Sequence, residues 1–561
     1  MKNRTVQEKL EWLQASKFGH ADAEHEQARL KEFFVSTYAW DRLLSGDVDI
    51  VHGKKGSGKS AMYTALIQEA PVELAERNIH VIHGNHLDLI DQLPQDVPEG
   101  FRWDDFWFCY ILVLCAGKIL QENWTVCREI IDYLKAKQLL DNNPNNRLFL
   151  SRLSQFVWET RGGLSYEEVF RRSSMTANGM MGGQMNDTTI SRSSIVTPMP
   201  TQPSQDLKVS WSSLLQHLHS ALAAMGVTFW VALDKLDVVF SRMPHTEIQA
   251  VNGLLRCHED MISFSHIRLR LFLQTQALRR AIALGLTNPD YLTTSVQELR
   301  WDKTHLLWLL VRRLLSNPGI VEYLGRPLHL RIAETFGGND FAKTRTQDVI
   351  LGTVLEKTRK QVSVLKSIFE KPEFGQANDD LDEKNADNSL LSRIMAQLAI
   401  DGTDYNPRDF ITFLHYSRDC EIAFLQSDQH GSMRYLLSKE ATSYAIEKIS
   451  YDKLLTLTSR YNLMTHRRLE PYLGNLRDLM ASGYVKRKVS DLLMDWTSIS
   501  GGDERLARET LAYCYEHHLF VKNRSAEDEL RGSAPKGSHQ LTVASIYRPA
   551  LGRALARDDA L

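Results

Sequence analysis

The segment Gly53-Lys54-Lys55-Gly56-Ser57-Gly58-Lys59-Ser60 constrains this chain more than any other feature. It fits the pattern G-x-x-x-x-G-K-[ST], with the apolar, strand-like run 48–52 before it and the good helix formers of 60–69 after it. Chance matches to that pattern in a chain of this length number about 0.02, so a surface Gly/Lys turn is a poor alternative. The residue types carry the chemistry. Glycines let backbone N–H groups turn inward without a Cβ clash and form an anion nest at a helix N-terminus. Lys59 is placed to reach the outer phosphates of a nucleotide, the Ser60 hydroxyl is placed to bind Mg2+, and Ala61 completes the binding segment.

The surrounding pattern predicts an α/β fold with a parallel sheet. The run 79–83 (IHVIH) reads as a second strand, 227–233 (VTFWVAL) as a buried central strand, and 269–273 as another. Residues 104–172 read as helical, with Phe106, Tyr110, Leu114 and Ile119 on one face of an amphipathic helix. The aromatic run 103–110 is expected to be core rather than a stacking platform. The stretch 175–206 is rich in Gly, Ser, Thr, Met and Pro and reads as a flexible loop, and 371–388 reads as an acidic linker. Helix 504–517 followed by strand-like runs 519–522 and 539–546 suggests a winged-helix module. The expected organisation is therefore an N-terminal helical segment (1–45), a P-loop core with a helical insertion (46–300), a helical lid (301–430), and a C-terminal helical and winged-helix-like region (431–561).

Composition excludes several classes. The 561 residues carry 67 Lys+Arg and 69 Asp+Glu, a net charge of −2, so bulk charge selects no polyelectrolyte partner. Hydrophobic content of 43% and charged content of 24% fit a globular protein and exclude a wholly disordered or fibrous one. No apolar run reaches the ~18 residues needed to cross a bilayer, so no membrane association is expected. The opening MKNRTVQEKLEWLQ lacks an apolar signal core, and the six cysteines include no CxxC. A cytoplasmic location without a disulfide framework or zinc site is expected.

A phosphate loop needs an acid for its metal. Asp234, at the end of VTFWVAL, lies where α/β folds bind ligands, and is expected to contact Mg2+ through a water. Asp237 either positions the attacking water or caps the next helix. Arg408 follows Pro407 at a helix start and is a candidate to fork onto the γ-phosphate. Arg312 and Arg313 are candidates for an arginine finger, though a solvated face or surface ion pair is the better expectation. The clusters 466–468 (HRR) and 486–488 (KRK) could touch nucleic-acid phosphates, with an ordinary solvated face the preferred expectation. His517-His518 has no metal-ligand spacing around it.

These residues resemble the signal-transducing P-loop NTPases related to the AAA+ class, including the KAP and NACHT (STAND) groups, and look most like a bacterial family of P-loop ATPases. The resemblance rests on Phe18-Gly19-His20-Ala21-Asp22-Ala23-Glu24 ahead of the loop, on the loop itself, and on the Asp234/Asp237 spacing. Gln274-Thr275-Gln276 stands at the sensor 1 position, Leu299-Arg300-Trp301-Asp302 resembles the link from core to lid, and Asn406-Pro407-Arg408-Asp409-Phe410 resembles a sensor 2 motif. Two positions depart from the family: Lys235 stands where an acid often follows the metal-binding Asp, and Val238 stands where NACHT proteins often carry Glu. Lys235 is expected to point to solvent.

The resemblance implies an ATP-binding, slowly ATP-hydrolysing, Mg2+-dependent regulator with Lys59, Asp234, Asp237 and Arg408 as its catalytic set. It further implies a conformational or assembly switch, a homo-oligomer, and a separately encoded effector in a bacterial sensor or antiphage role. The alternative is a nucleic-acid-binding, initiator-like ATPase that uses the C-terminal winged helix.

Overall fold

The computed structural model describes residues 6–20, 26, 30–68, 71–84, 98, 100–140, 149–160, 164–165, 169, 208–236, 244–286, 290–320, 390–399, 405–427, 435–521, 526, 529–530 and 539–552. The expected loop 175–206, the acidic linker 371–388, Asp22, Glu24 and Asp237 lie outside the described residues. The chain divides into a core unit (38–55 and 59–299) and a helical unit (1–37, 56–58 and 300–561).

The core unit is built on strands β1 (Ile50–Gly53), β2 (Ile79–His83), β5 (Thr228–Leu233), β6 (Ile267–Gln274) and β7 (Val296–Glu298), with β3 (Leu164–Ser165) and β4 (Lys208–Val209) as a small separate pair. The five main strands form one sheet in the order β2-β5-β6-β1-β7, and every pairing is parallel. The α/β fold class expected from the sequence is thus the one observed. Strand β5 is buried at five of its six positions, which explains its unbroken apolar run. Strand β7 escaped the sequence reading because its three residues, Val-Gln-Glu, carry no apolar run.

Helix Trp103–Gln121 corrects the amphipathic expectation. It buries Trp103, every residue from Phe106 to Ala116, and Ile119, so it is surrounded rather than one-sided. The expectation that its aromatics are core is met. Trp107 Nε1 donates to the Ala250 carbonyl oxygen at 2.8 Å, on helix Pro244–Asp260. Gly253 on that helix permits the close crossing: a Cβ there would lie 2.8 Å from the Trp103 backbone carbonyl carbon.

At the amino end of β1, Asp49 gathers two arginines and a histidine. Arg268 lies at 2.7 Å, Arg270 is hydrogen-bonded and fully buried, and His258 Nε2 lies at 3.3 Å. The Arg270 guanidinium also stacks 3.7 Å from the Trp230 ring centroid. Burial alone would raise the Asp49 pKa, but the His258 hydrogen bond and the charges of Arg270 and Arg268 outweigh it and hold the carboxyl down to about 2.

The helical unit contains helices Val6–Ala15, Lys303–Leu315, Pro407–Gln426 and Lys439–Thr465, among others. Its N-terminal segment is held by buried charges. Lys9 Nζ meets Glu421 Oε1 at 2.6 Å, and Glu421 also accepts from the Ser438 backbone N–H at 2.8 Å. Arg418 donates to the Ser16 carbonyl oxygen at 2.8 Å, and His415 Nε2 lies 2.7 Å from the Gly19 carbonyl oxygen. Arg313 is buried, paired with Glu26 and donating to the Phe18 carbonyl oxygen at 2.6 Å; Arg312 donates to the Phe34 carbonyl oxygen at 2.9 Å. The expected solvated face is therefore wrong for Arg313, because the N-terminal segment covers it.

At the C-terminal end of this unit, helix Glu470–Ala481, strand β8 (Lys486–Lys488), helices Val489–Ile499 and Glu504–Glu516, and strand β9 (Gln540–Thr542) follow in order. β8 pairs antiparallel with β9, and Phe520 bridges Val543 on the other side of β9. β8 is a strand where the residue pattern shows only a basic cluster. All six cysteines are free thiols. No helix among the described residues is long and apolar enough to cross a membrane.

Candidate phosphate-binding site

Strand β1 ends at Gly53, and helix Lys59–Gln68 begins six residues later. The turn between them needs left-handed backbone at Gly56 (φ +83°) and Gly58 (φ +95°), which glycine adopts without the Cβ penalty. Lys59 is buried, and its Nζ donates to the carbonyl oxygens of Gly53 at 2.9 Å and Lys54 at 3.0 Å. These bonds bring the ammonium back over the loop that precedes its own helix. Gly53, Lys54, Lys55, Gly56, Ser57, Gly58, Lys59, Ser60 and Ala61 thus form one continuous strand–loop–helix segment.

The sheet places the acid. Because its strands are parallel, all their carboxyl ends lie along one edge. Gly53 is in register with Gln274 of β6, and Leu233 of β5 with Leu271. Asp234, directly after β5 and 6% exposed, therefore stands along the same edge as the loop, one strand removed from β1. Ser60 offers a hydroxyl at the helix start and Asp234 a carboxylate; both are hard oxygen donors of the kind Mg2+ takes. Lys235 is half-buried and left-handed (φ +61°), a costly conformation for a residue with a Cβ. The chain therefore turns off the strand direction immediately after the acid.

Gln274-Thr275-Gln276 closes β6 and opens helix Thr275–Ala283, beside β1. There His52 Nδ1 lies 3.0 Å from Thr275 Oγ1, a pairing set by strand register that the sequence alone did not show.

Within the helical unit, the loop tip Gly56-Ser57-Gly58 meets two further residues. Trp301 Nε1 donates to the Ser57 carbonyl oxygen at 2.7 Å. A Cβ on Gly56 would lie 2.7 Å from Asn406 Oδ1 and 3.1 Å from Arg408 Cβ. Asn406 is the N-cap of helix Pro407–Gln426, accepting from the Arg408 N–H at 3.1 Å, with Pro407 in the first turn. Arg408 accordingly stands half-buried on the first turn beside the loop tip. Trp301 and Asn406 belong to motifs legible in the sequence, but nothing local signals their contact with the loop.

The basic clusters lie apart from this arrangement in sequence. His466, Arg467 and Arg468 are exposed, as are Lys486 and Lys488 on β8. On helix Glu504–Glu516 the arginines are already paired, Arg505 with Glu509 at 2.9 Å and Arg508 with Glu504 at 3.0 Å. Among the described residues, no cluster of His, Cys, Asp or Glu could hold a metal ion by itself.

No family model and no curated protein matches the chain. Solved structures similar to it include the Aeropyrum pernix ORC2 protein in ADPNP–ADP complexes and in its ADP form. Each is 12% identical with a TM-score of 0.27; 95% of this chain is covered in both comparisons, against 94% and 92% of the respective ORC2 chains. The family resemblance accordingly rests on the sequence motifs themselves, and the fold class on the observed strand order.

Proposed function

We propose that the protein is an AAA+-class P-loop ATPase: residues 53–61 bind the phosphates of ATP, Lys59 supplies the counter-charge, and Ser60 with Asp234 holds Mg2+. The observation that carries the reading is the loop itself, placed between a buried parallel strand and a helix N-terminus, with two left-handed glycines and a buried lysine bonded back to Gly53 and Lys54. Bound Mg2+ would neutralise developing charge on the phosphates. Asp237 is proposed to position water and Arg408 to report on the γ-phosphate, both by family resemblance. Isothermal titration of wild type and Lys59→Ala with ATP, paired with Mg2+-dependent phosphate release, tests the reading. Equal affinity in the two proteins removes it.

A second reading is favoured by the winged-helix-like order at the C-terminus: nucleotide-dependent binding of nucleic acid. Exposed Lys486, Lys488, Arg467 and Arg468 would supply phosphate contacts, while the internally paired arginines of helix Glu504–Glu516 argue against base readout by that helix. Such binding should weaken steeply with salt, and no affinity at low salt discards it. The narrower kinship with KAP and NACHT proteins, the homo-oligomer, and an antiphage role through a separate effector rest on the motifs alone; light scattering with and without ATP and co-purification of a partner test them.

A further inference from the structure

We infer that Trp301 and Asn406 are positioning residues of the phosphate loop, setting the direction of its amide groups before any nucleotide arrives. The inference rests on the proposed phosphate-binding role of residues 53–61 and deepens it.

The argument begins with the peptide plane. No peptide bond among the described residues is cis, so the Ser57 C=O and the Gly58 N–H belong to one trans unit and point in opposite directions. Trp301 Nε1 holds the Ser57 oxygen at 2.7 Å, in a buried bond. Fixing that oxygen towards the indole aims the Gly58 N–H away from it. Gly58 has φ +95°, and a glycine without such a restraint samples a wide range of orientations. One side-chain donor therefore selects one orientation for an amide at the most permissive position of the loop.

The carbonyl oxygens of the loop show the same division of labour. Those of Gly53 and Lys54 accept from Lys59, and that of Ser57 accepts from Trp301. A buried carbonyl needs such a partner, and satisfying it from outside turns the oxygen away from the nest that an anion would enter. Asn406 acts at the next residue but one. Its amide occupies the space a Cβ on Gly56 would need, at 2.7 Å from Oδ1 and 2.9 Å from Nδ2. Asn406 is itself fixed as a helix N-cap, and Trp301 precedes Asp302, the N-cap of helix Lys303–Leu315. Both restraints are mounted at helix starts, which keeps them in place better than a free loop would.

The test compares wild type, Trp301→Phe and Asn406→Ala by isothermal titration with ADP and ATP and by thermal melting without nucleotide. Trp301→Phe retains an aromatic ring but removes the donor together with part of the buried indole volume. We expect the melting point to fall, since one buried acceptor loses its partner, and the affinity of the folded fraction for both nucleotides to fall about tenfold as well. Asn406→Ala should weaken binding in the same direction. A residue with a merely structural role would lower the melting point and leave affinity in the folded fraction unchanged. If wild type binds and both variants bind within twofold of it, the positioning role is overturned while the phosphate-loop reading stands. If wild type binds neither nucleotide, both are overturned. Should Trp301→Phe fail to fold, Asn406→Ala decides.

Discussion

Arg313 and Glu26, 287 residues apart in the chain, are joined by two hydrogen bonds of 2.6 and 2.8 Å. Both side chains are only 5% exposed, and the guanidinium also lies over the Phe33 ring. The pair anchors the N-terminal segment onto helix Lys303–Leu315. Arg313→Met should therefore cost roughly 3–5 kcal/mol of stability in chemical denaturation, because Glu26 is left buried and unpaired. Nucleotide turnover by the folded fraction should not change. A large drop in turnover with unchanged stability would instead restore the arginine-finger role.

Asp49 sets an acid limit on the core unit. Its carboxyl is held down to about 2 from an ordinary value of 3.8 by His258, Arg270 and Arg268, against the opposing effect of burial. A lowered folded-state value means that this stability is fully present above pH ~4 and is lost as pH falls through about 2. The contribution is on the order of 2 kcal/mol. Unfolding midpoints of wild type should fall across that window. In Asp49→Asn they should start lower, because Arg270 is stranded, and vary less with pH. An identical acid slope in the two proteins would falsify the assignment.

Gly56 and Gly501 separate two kinds of glycine. Both have positive φ, +83° and +69°, but a Cβ on Gly56 meets Asn406 and Arg408 whereas one on Gly501 meets nothing within 4 Å. Gly501→Ala should cost about 1 kcal/mol through backbone strain and leave ATP affinity intact. Gly56→Ala should add a steric clash to the strain and lower ATP affinity at least about tenfold. Equal affinities in the two variants would remove the steric argument.

Asp234 is predicted to matter for metal rather than for the phosphate cradle. Asp234→Asn should keep ATP binding in the presence of EDTA within about twofold. Mg2+-supported hydrolysis should fall by roughly 100-fold or more, as expected when an electrostatic contributor to phosphoryl transfer is lost. Retained Mg2+-dependent hydrolysis would assign the metal acid elsewhere.

Residue pattern is enough for the elements whose signal is local. The loop 53–60, strands β1, β2, β5 and β6, and the fold class follow from residue types within a window of a few positions. Tertiary structure decided what depends on partners far along the chain. Helix Trp103–Gln121 is apolar on every side because other helices and the sheet enclose it, which no single-helix pattern can specify. β7 and β8 carry polar residues and exist as strands through the ladders they join. Arg313 reads as a surface charge until Glu26 is brought to it, and nothing local to Trp301 shows that its N–H meets Ser57. In each case the deciding energy is that of a buried polar or apolar contact formed across a long loop of chain, and only folding establishes which groups become neighbours.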